Sequence, residues 1–144
     1  MRLEASTPAD LPQIKVWWDA DEDHKRKPFS DDFFLTGSGL LVFRLDDSHG
    51  AVLYTRIEQD SDPARIRMHI QFAPSDIVSR RRVVSAILKT LPVVIEHFNG
   101  EGFQQMVFDS VSPSLIKFLS HFGFEQTEGT NDYMLTFAQV ELVN

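Results

Sequence analysis

Residues 65–91 read "RIRMHIQFAPSDIVSRRRVVSAILKTL", and this stretch decides the fold. Its first eight residues alternate. Ile66, Met68, Ile70 and Phe72 share one face of an extended chain, and Arg65, Arg67, His69 and Gln71 share the other. That is the pattern of a strand with its apolar face packed on helices and its polar face toward solvent or a cleft. After a loop containing Pro74, the apolar residues Val83, Val84, Ile87, Leu88, Leu91, Val94, Ile95 and Phe98 recur at steps of three and four. That spacing predicts one long amphipathic helix. Pro92 lies inside it; a mid-helix proline lacks the N–H and crowds the preceding turn, so a bend or a break is expected there. Between strand and helix stand Arg80, Arg81 and Arg82. A helix N-terminus carries partial positive charge, so cations there are mildly unfavourable. Two readings follow. In one, Ser79 caps the helix and the arginines occupy a first turn that faces a phosphate. In the other, Ser75 is the cap, Asp76 sits in the first turn, and the arginines form a solvated second turn.

Working outward, the rest of the chain fits one domain, 1–144. A chain of that length buries about 70% of its unfolded surface, enough for a core without staples. There are no cysteines, which excludes disulfides, thiolate catalysis and cysteine-based zinc sites. The net charge of −7 argues against charge-driven nucleic-acid binding, because the basic residues are few and locally grouped. No apolar run approaches a membrane span, and no signal-peptide pattern follows the N-terminus, so a cytoplasmic protein with no membrane partner is expected.

"MRLEAS" reads as a first strand, and "TPADLPQIKVWW" as a helix with Thr7 as cap, Pro8 at the first position and Asp10 in the first turn. Trp17 and Trp18 are adjacent and cannot both face inward, so one is core and the other lines a groove or a partner surface. The charged stretch 19–32 reads as a surface loop before a short second helix over 31–35. It lacks the glycine and the distal glutamate of a calcium loop. "GLLVFRLDD" and "AVLYTRIEQ" form a hairpin closed near Gly50. "FQQMVFDSV" is a strand, and "SPSLIKFLSHF" a helix with Ser112 as cap, Pro113 at its first position and Gly123 at its end. "FEQTE" and "DYMLTFAQVEL" close the chain as two strands. The order β-α-(α)-β-β-β-α-β-α-β-β predicts an α/β fold, a mixed central sheet with helices on both faces.

This order resembles the GNAT superfamily of acyl-CoA-dependent N-acyltransferases over residues 2–137. The resemblance rests on three pieces. "RLEASTPADLPQI" is similar to the family's opening strand and helix. "IQFAPSDIVSRRRVVSAIL" stands where its central strand, pyrophosphate loop and long helix stand. "SVSPSLIKFLSHFGFEQTE" is similar to its later helix and the Gly-Phe entry to a strand. The resemblance implies a V-shaped opening between strands near 65–72 and 103–110 that takes the pantetheine arm of acetyl-CoA or another acyl-CoA. Backbone groups of Ile70, Gln71 and Phe72 would hold the arm. The helix start at Arg80, Arg81, Arg82, Val83, Val84 and Ser85 would hold the pyrophosphate, and Ser112 would touch the arm. The chain departs from the family at two places. Arg81, Val83 and Ser85 occupy the positions where the family carries glycines, with no glycine between Gly50 and Gly100. Leu119 occupies the place of the family's tyrosine acid.

N-acyl transfer needs a neutral amine, so a base near neutrality is sought. His69, on the polar face of the central strand, is the first candidate, and Glu58, near the end of the preceding strand, the second. The alternative for His69 is a strand histidine bonded to a neighbour. Asp109 and Ser110 would orient a substrate or terminate a strand. The expected activity is acyl transfer from acyl-CoA to an amine acceptor by direct attack, the acceptor groove being built from residues 17–35. The competing expectation is a GNAT-like fold without catalysis that serves as a binding or assembly module. A third is that Arg80, Arg81 and Arg82, with Arg65 and Arg67, meet an anionic partner. An edge strand near the C-terminus is a candidate for pairing two copies into a homodimer.

Overall fold

The computed structural model describes residues 1–35, 37, 39–110 and 113–139, the last by its backbone alone. Strand β1 (Arg2–Glu4) leads through a 3-10 turn at Pro8–Asp10 into helix α1 (Leu11–Ala20). Strands β2 (Leu41–Asp47), β3 (Gly50–Gln59) and β4 (Arg65–Phe72) follow. Then come α2 (Arg80–Gly100), β5 (Gln105–Asp109), α3 (Pro113–Phe122), β6 (Glu125–Gln126) and β7 (Asp132–Thr136). The strands form one seven-stranded mixed sheet in the order β1-β2-β3-β4-β5-β7-β6. The β4–β5 ladder is parallel and the β1–β2, β2–β3, β5–β7 and β6–β7 ladders are antiparallel. No helix among the described residues is long and apolar enough to cross a membrane.

The chain divides into two compact units, Met1–Glu58 with His69–Thr90, and Gln59–Met68 with Leu91–Asn144. In the first, β2 and β3 close through Ser48 and His49, with Asp47 opposite Gly50, whose φ of 121° lies where side chains are strained. Val42, Phe43, Leu45, Val52, Leu53 and Ile57 are buried along this hairpin. Helix α1 is seated on it by a buried polar network. Asp10 Oδ2 accepts the Thr7 N–H at 2.9 Å, and Asp10 Oδ1 accepts the Tyr54 hydroxyl at 2.9 Å and Arg44 Nη1 at 2.8 Å. Asp46 takes the other side of the Arg44 guanidinium at 2.8 and 2.9 Å. Asp10 is 7% exposed, and a buried carboxylate is tolerated only when paired in this way. In the second unit, Met106, Val107, Phe108, Tyr133 and Leu135 are buried along the β5–β7 ladder. Helix α3 ends at Gly123 (φ 115°), where the Phe124 N–H returns to the Leu119 carbonyl at 3.2 Å.

Four sequence expectations need correction. The short helix over 31–35 is a run of turns, closed by Phe33 N–H to the Ser30 carbonyl and Leu35 N–H to the Asp32 carbonyl. A single 3-10 turn at His24–Arg26 precedes it. The aromatic residues of this segment anchor it by packing, so it needs no helical stripe. Of the bend or break expected at Pro92, the break does not occur: helix α2 runs on as one element. The carbonyl freed by the proline belongs to Leu88, on an exposed face where water can satisfy it. The polar face of β4 does not meet solvent at its end, because Gln71 is 1% exposed, less than Ile70 and Phe72 on the opposite face. The last strand stops at Thr136, and Phe137–Gln139 is a 3-10 turn.

Candidate active site

β3 and β4 bring the two candidate bases together. His69 Nε2 lies 2.9 Å from Glu58 Oε1. The other carboxylate oxygen, Oε2, accepts the Nε–H of Arg56 at 2.9 Å. Burial alone would raise the Glu58 carboxyl, but hydrogen bonds from His69 and Arg56 outweigh it and hold the group below its ordinary value. Glu58 is therefore an ionised acceptor at neutral pH. A carboxylate only accepts, so the His69 Nε2 carries the proton and, in the neutral ring, the lone pair falls on Nδ1. The ring is walled by the edges of Phe33 (5.0 Å between centroids) and Phe29 (6.0 Å), which stack on each other at 4.0 Å. The Arg56 guanidinium lies 4.4 Å over the Phe33 ring and donates to the Phe33 carbonyl at 3.1 Å.

The side chain of Gln71 faces α1. Its Nε2 donates to the Phe72 carbonyl (3.0 Å), the Trp17 carbonyl (3.3 Å) and Asp21 (3.4 Å). Its Oε1 accepts from His24 Nδ1 at 2.7 Å, so His24 holds its proton on that nitrogen. Of the three residues expected to hold a pantetheine arm, Gln71 thus has its side chain engaged inside the first unit. The parallel register of β4 with β5 runs from Arg65↔Gln105 to Arg67↔Val107 and stops before Ile70, Gln71 and Phe72. Trp17 is the core member of the tryptophan pair at 3% exposure. Trp18 lines a pocket of about 200 Å³ with Leu11, Ile14, Phe29 and Phe34; Trp18, Phe29 and Phe34 belong to the stretch 17–35 expected to form an acceptor groove, and Leu11 and Ile14 lie outside it.

The arginine question resolves in favour of the first reading of the helix start. Helix α2 begins at Arg80, Ser79 Oγ accepts the Arg82 N–H at 3.3 Å, and the Ser79 carbonyl accepts the Val83 N–H. Ser75 instead opens a separate turn in which Ile77 and Val78 donate to the Pro74 carbonyl. Arg80 and Arg81 are exposed. Arg82 is not: Asp47, at the β2–β3 turn, takes its Nε and Nη2 at 2.7 Å each. That fork, opposed by slight burial, holds the Asp47 carboxyl at about 2. Val83, Val84 and Ser85 are half-buried in the first turns of the helix.

In the second unit, Arg65 and Arg67 both bind Asp60 at 3.0 Å, and Arg67 forks onto Asp132 at 3.0 and 3.1 Å with Asp109 at 3.6 Å. Their charge is met inside the protein, which removes them from the surface expected for an anionic partner. Leu119, at the place of the family's tyrosine, is 1% exposed. Ser112 lies outside the described residues.

Sequence reasoning did not single out Arg56. The signal was present, since Arg56 and Glu58 are two residues apart on one strand and therefore share a face. Asp10 was read only as a first-turn acid, and nothing local in the sequence marks it as buried.

No protein-family model matches the chain, and no curated protein matches it. Solved structures do. The ribosomal-protein-S18-alanine N-acetyltransferase from Escherichia coli superposes with a TM-score of 0.63 at 16% identity over 94% of this chain and 93% of that one. A GNAT-family acetyltransferase from Staphylococcus aureus Mu50 gives 0.70 at 11% identity over 94% and 98%. The aminoglycoside acetyltransferase AAC(6')-Ib, solved in complex with coenzyme A, gives 0.66 at 14% identity over 93% of each chain. At these identities the likeness speaks for architecture, and the chain has the fold of the GNAT-family N-acetyltransferases.

Proposed function

We propose that this protein is an acyl-CoA-dependent N-acyltransferase that moves an acyl group, acetyl in the simplest case, to an amine by direct attack. The observation that carries the reading is the Glu58–His69 pair, a histidine 2.9 Å from an ionised carboxylate at the central strand of this fold. His69 takes the proton of the incoming ammonium, and Glu58 stabilises the imidazolium that results. The neutral amine nitrogen then bonds to the acyl carbon as the carbon–sulfur bond breaks; the second proton shed by that nitrogen goes to the departing thiolate, and the proton held on His69 passes to solvent. No residue forms a covalent intermediate, in keeping with a chain that has no cysteine.

The groups that would meet the cosubstrate are the backbone of Ile70, Gln71 and Phe72 and the first turn of α2. That turn offers amides without intrahelical partners, together with the exposed Arg80 and Arg81. Charge-assisted bonds from these arginines would replace part of what the family's glycines provide. Arg82 is already neutralised by Asp47 and is the weaker candidate. A second reading, a binding module without catalysis, is favoured by Leu119, whose buried apolar side chain supplies no acid for the thiolate.

The melting temperature with and without acetyl-CoA tests the cofactor assignment, in the wild type and in R80A/R81A, which spares the Asp47 pair. Ligand at a hundred times its dissociation constant adds about 2.7 kcal/mol, and about 2–4 °C per kcal/mol makes the expected rise roughly 5–10 °C. A rise that shrinks in the double variant supports the reading. No rise at millimolar acetyl-CoA would remove it.

A further inference from the structure

We infer that the pocket beside α1 is a binding site for a small molecule with an apolar, ring-sized body and an ammonium group. Neither Glu58 nor His69 lines this pocket, and binding here stands whether or not the protein transfers an acyl group.

One wall of the pocket is a single face of α1. Leu11, Ile14, Lys15, Trp18 and Asp19 follow one another at steps of three, one, three and one, which brings them to the same side of a helix. Lys27, Phe29, Ser30, Asp31 and Phe34 form the other wall, and all of these residues belong to the first unit. Trp18 meets Phe29 at 4.8 Å and Phe34 at 6.1 Å between centroids, at 88° and 78°, so the three rings make a corner rather than a stack. This is where the second tryptophan of the adjacent pair goes: Trp17 fills the core, and Trp18, half-buried, walls the hollow. The hollow measures about 200 Å³. An apolar cavity of about 150 Å³ holds a benzene, so one ring with a short chain fills this one, whereas drug-sized ligands occupy about 300 Å³ or more.

Charge at the rim selects the sign of the ligand. Lys15 pairs with Asp31 at 3.3 Å, and Lys27 pairs with Asp23 at 3.4 Å. Asp19 is exposed and has no hydrogen bond or ion pair among the described residues. Turning Lys15 to Asp19, one helical turn on, would only release Asp31. Three carboxylates thus share two lysines, and one stays unmatched. An ammonium group takes that carboxylate without displacing either lysine, and it gains from the negative faces of the rings beside it. An anionic ligand would meet Asp19 and would have to draw a lysine from its partner. The Lys15–Asp31 pair does not bar entry. Its side chains are 56% and 73% exposed, and a pair of that kind contributes little and yields to a competitor.

Titration with 2-phenylethylamine, followed by NMR of the two indole N–H signals, tests this, with Trp18→Phe assigning the signals. The Trp18 signal should move and saturate at millimolar ligand while the Trp17 signal stays nearly still. 2-Phenylethanol, which has the ring without the charge, should bind about two- to fivefold more weakly, the range of an exposed ion pair, and 3-phenylpropionate more weakly still. Added salt should weaken binding of the amine and spare 2-phenylethanol. Asp19→Asn changes an exposed side chain and leaves the core untouched; it should cost the amine about the same two- to fivefold. Asp19→Lys should reverse the preference, so that 3-phenylpropionate binds better than the amine. The absence of a saturable shift at Trp18 overturns the inference. So does equal binding of the acid and the amine in the wild type, or an affinity for the amine that survives Asp19→Lys. Shifts centred on His69 with Trp18 still would also overturn it, since they put the amine elsewhere.

Discussion

Asp10→Asn probes the network that seats α1, the helix whose Trp17 carbonyl and neighbouring Asp21 hold Gln71 of the central strand. Asparagine offers one acceptor and one donor where aspartate offers two acceptors. If its oxygen stays on Arg44 and Tyr54, its NH₂ meets the Thr7 N–H; if it turns over, the NH₂ meets Arg44 and Tyr54. Either way a buried donor is left without an acceptor, at a cost of about 1–3 kcal/mol. Loss of the charged partner of Arg44 adds about 1 kcal/mol, limited because Asp46 remains. At about 2–4 °C per kcal/mol the melting temperature should fall by roughly 5–15 °C at pH 7. The pH dependence has a definite sign. Burial tends to raise the Asp10 carboxyl, but the Thr7 N–H, Arg44 and Tyr54 hold it below 3.8. Its contribution is therefore complete above the unfolded value and is lost as pH falls through the lower folded value. Scanning calorimetry of both proteins at pH 7 and pH 3 should show the gap narrowing in acid. A melting temperature within about 2 °C of wild type at pH 7, or a gap that does not narrow, would refute the reasoning.

Three further outcomes are expected. Asp47→Asn should lower the melting temperature modestly at neutral pH and not at all below pH 2. Its carboxyl is held at about 2 by Arg82, so the stability it adds is present above 3.8 and lost as pH falls through the folded value. Thermal melts across that range, with and without added salt, check this. Leu119→Tyr should destabilise by about 1–3 kcal/mol through overpacking of a side chain that is 1% exposed, without raising any transfer rate; denaturant unfolding and a thiol assay read the two halves. Gln71→Leu should cost about 1–3 kcal/mol, because the His24 Nδ1–H loses its nearer acceptor, with Asp21 left at 3.4 Å, and the buried Trp17 carbonyl loses a donor; urea unfolding measures it.

The fold was legible where one period dominated. The alternation of β4, the hairpin around Gly50 and the three- and four-residue steps of α2 all match the observed elements, with Ile66 and Met68 buried in β4 and Ile87, Leu91, Val94, Ile95 and Phe98 buried in α2, although Leu88 of the same stripe is exposed. It was less legible where long-range contacts override local preference. The segment 31–35 is held by ring packing and by the Ser6 hydroxyl donating to the Phe34 carbonyl, so a local reading of its residues mistook turns for a helix. Gln71 looked like a solvent-facing strand residue, but its burial comes from α1, some fifty residues away in sequence. His69 and Glu58 were found separately from chemistry and position, and their 2.9 Å contact needed the β3–β4 neighbourhood to appear. The arginines divided for the same reason: Asp47 reaches Arg82 from thirty-five positions away and leaves Arg80 and Arg81 exposed.

Release of free CoA thiol from acetyl-CoA in the presence of primary amines tests the central claim most directly. The protein has no cysteine of its own, so a thiol reagent reports only the product. The account predicts amine-dependent thiol release by the wild type and a loss of roughly a hundredfold or more in His69→Asn, the range for removing a general base. Amine-dependent release that is unchanged in His69→Asn would contradict the assignment of the base. No release with any amine, despite a melting temperature raised by acetyl-CoA, would contradict catalysis and leave a CoA-binding module.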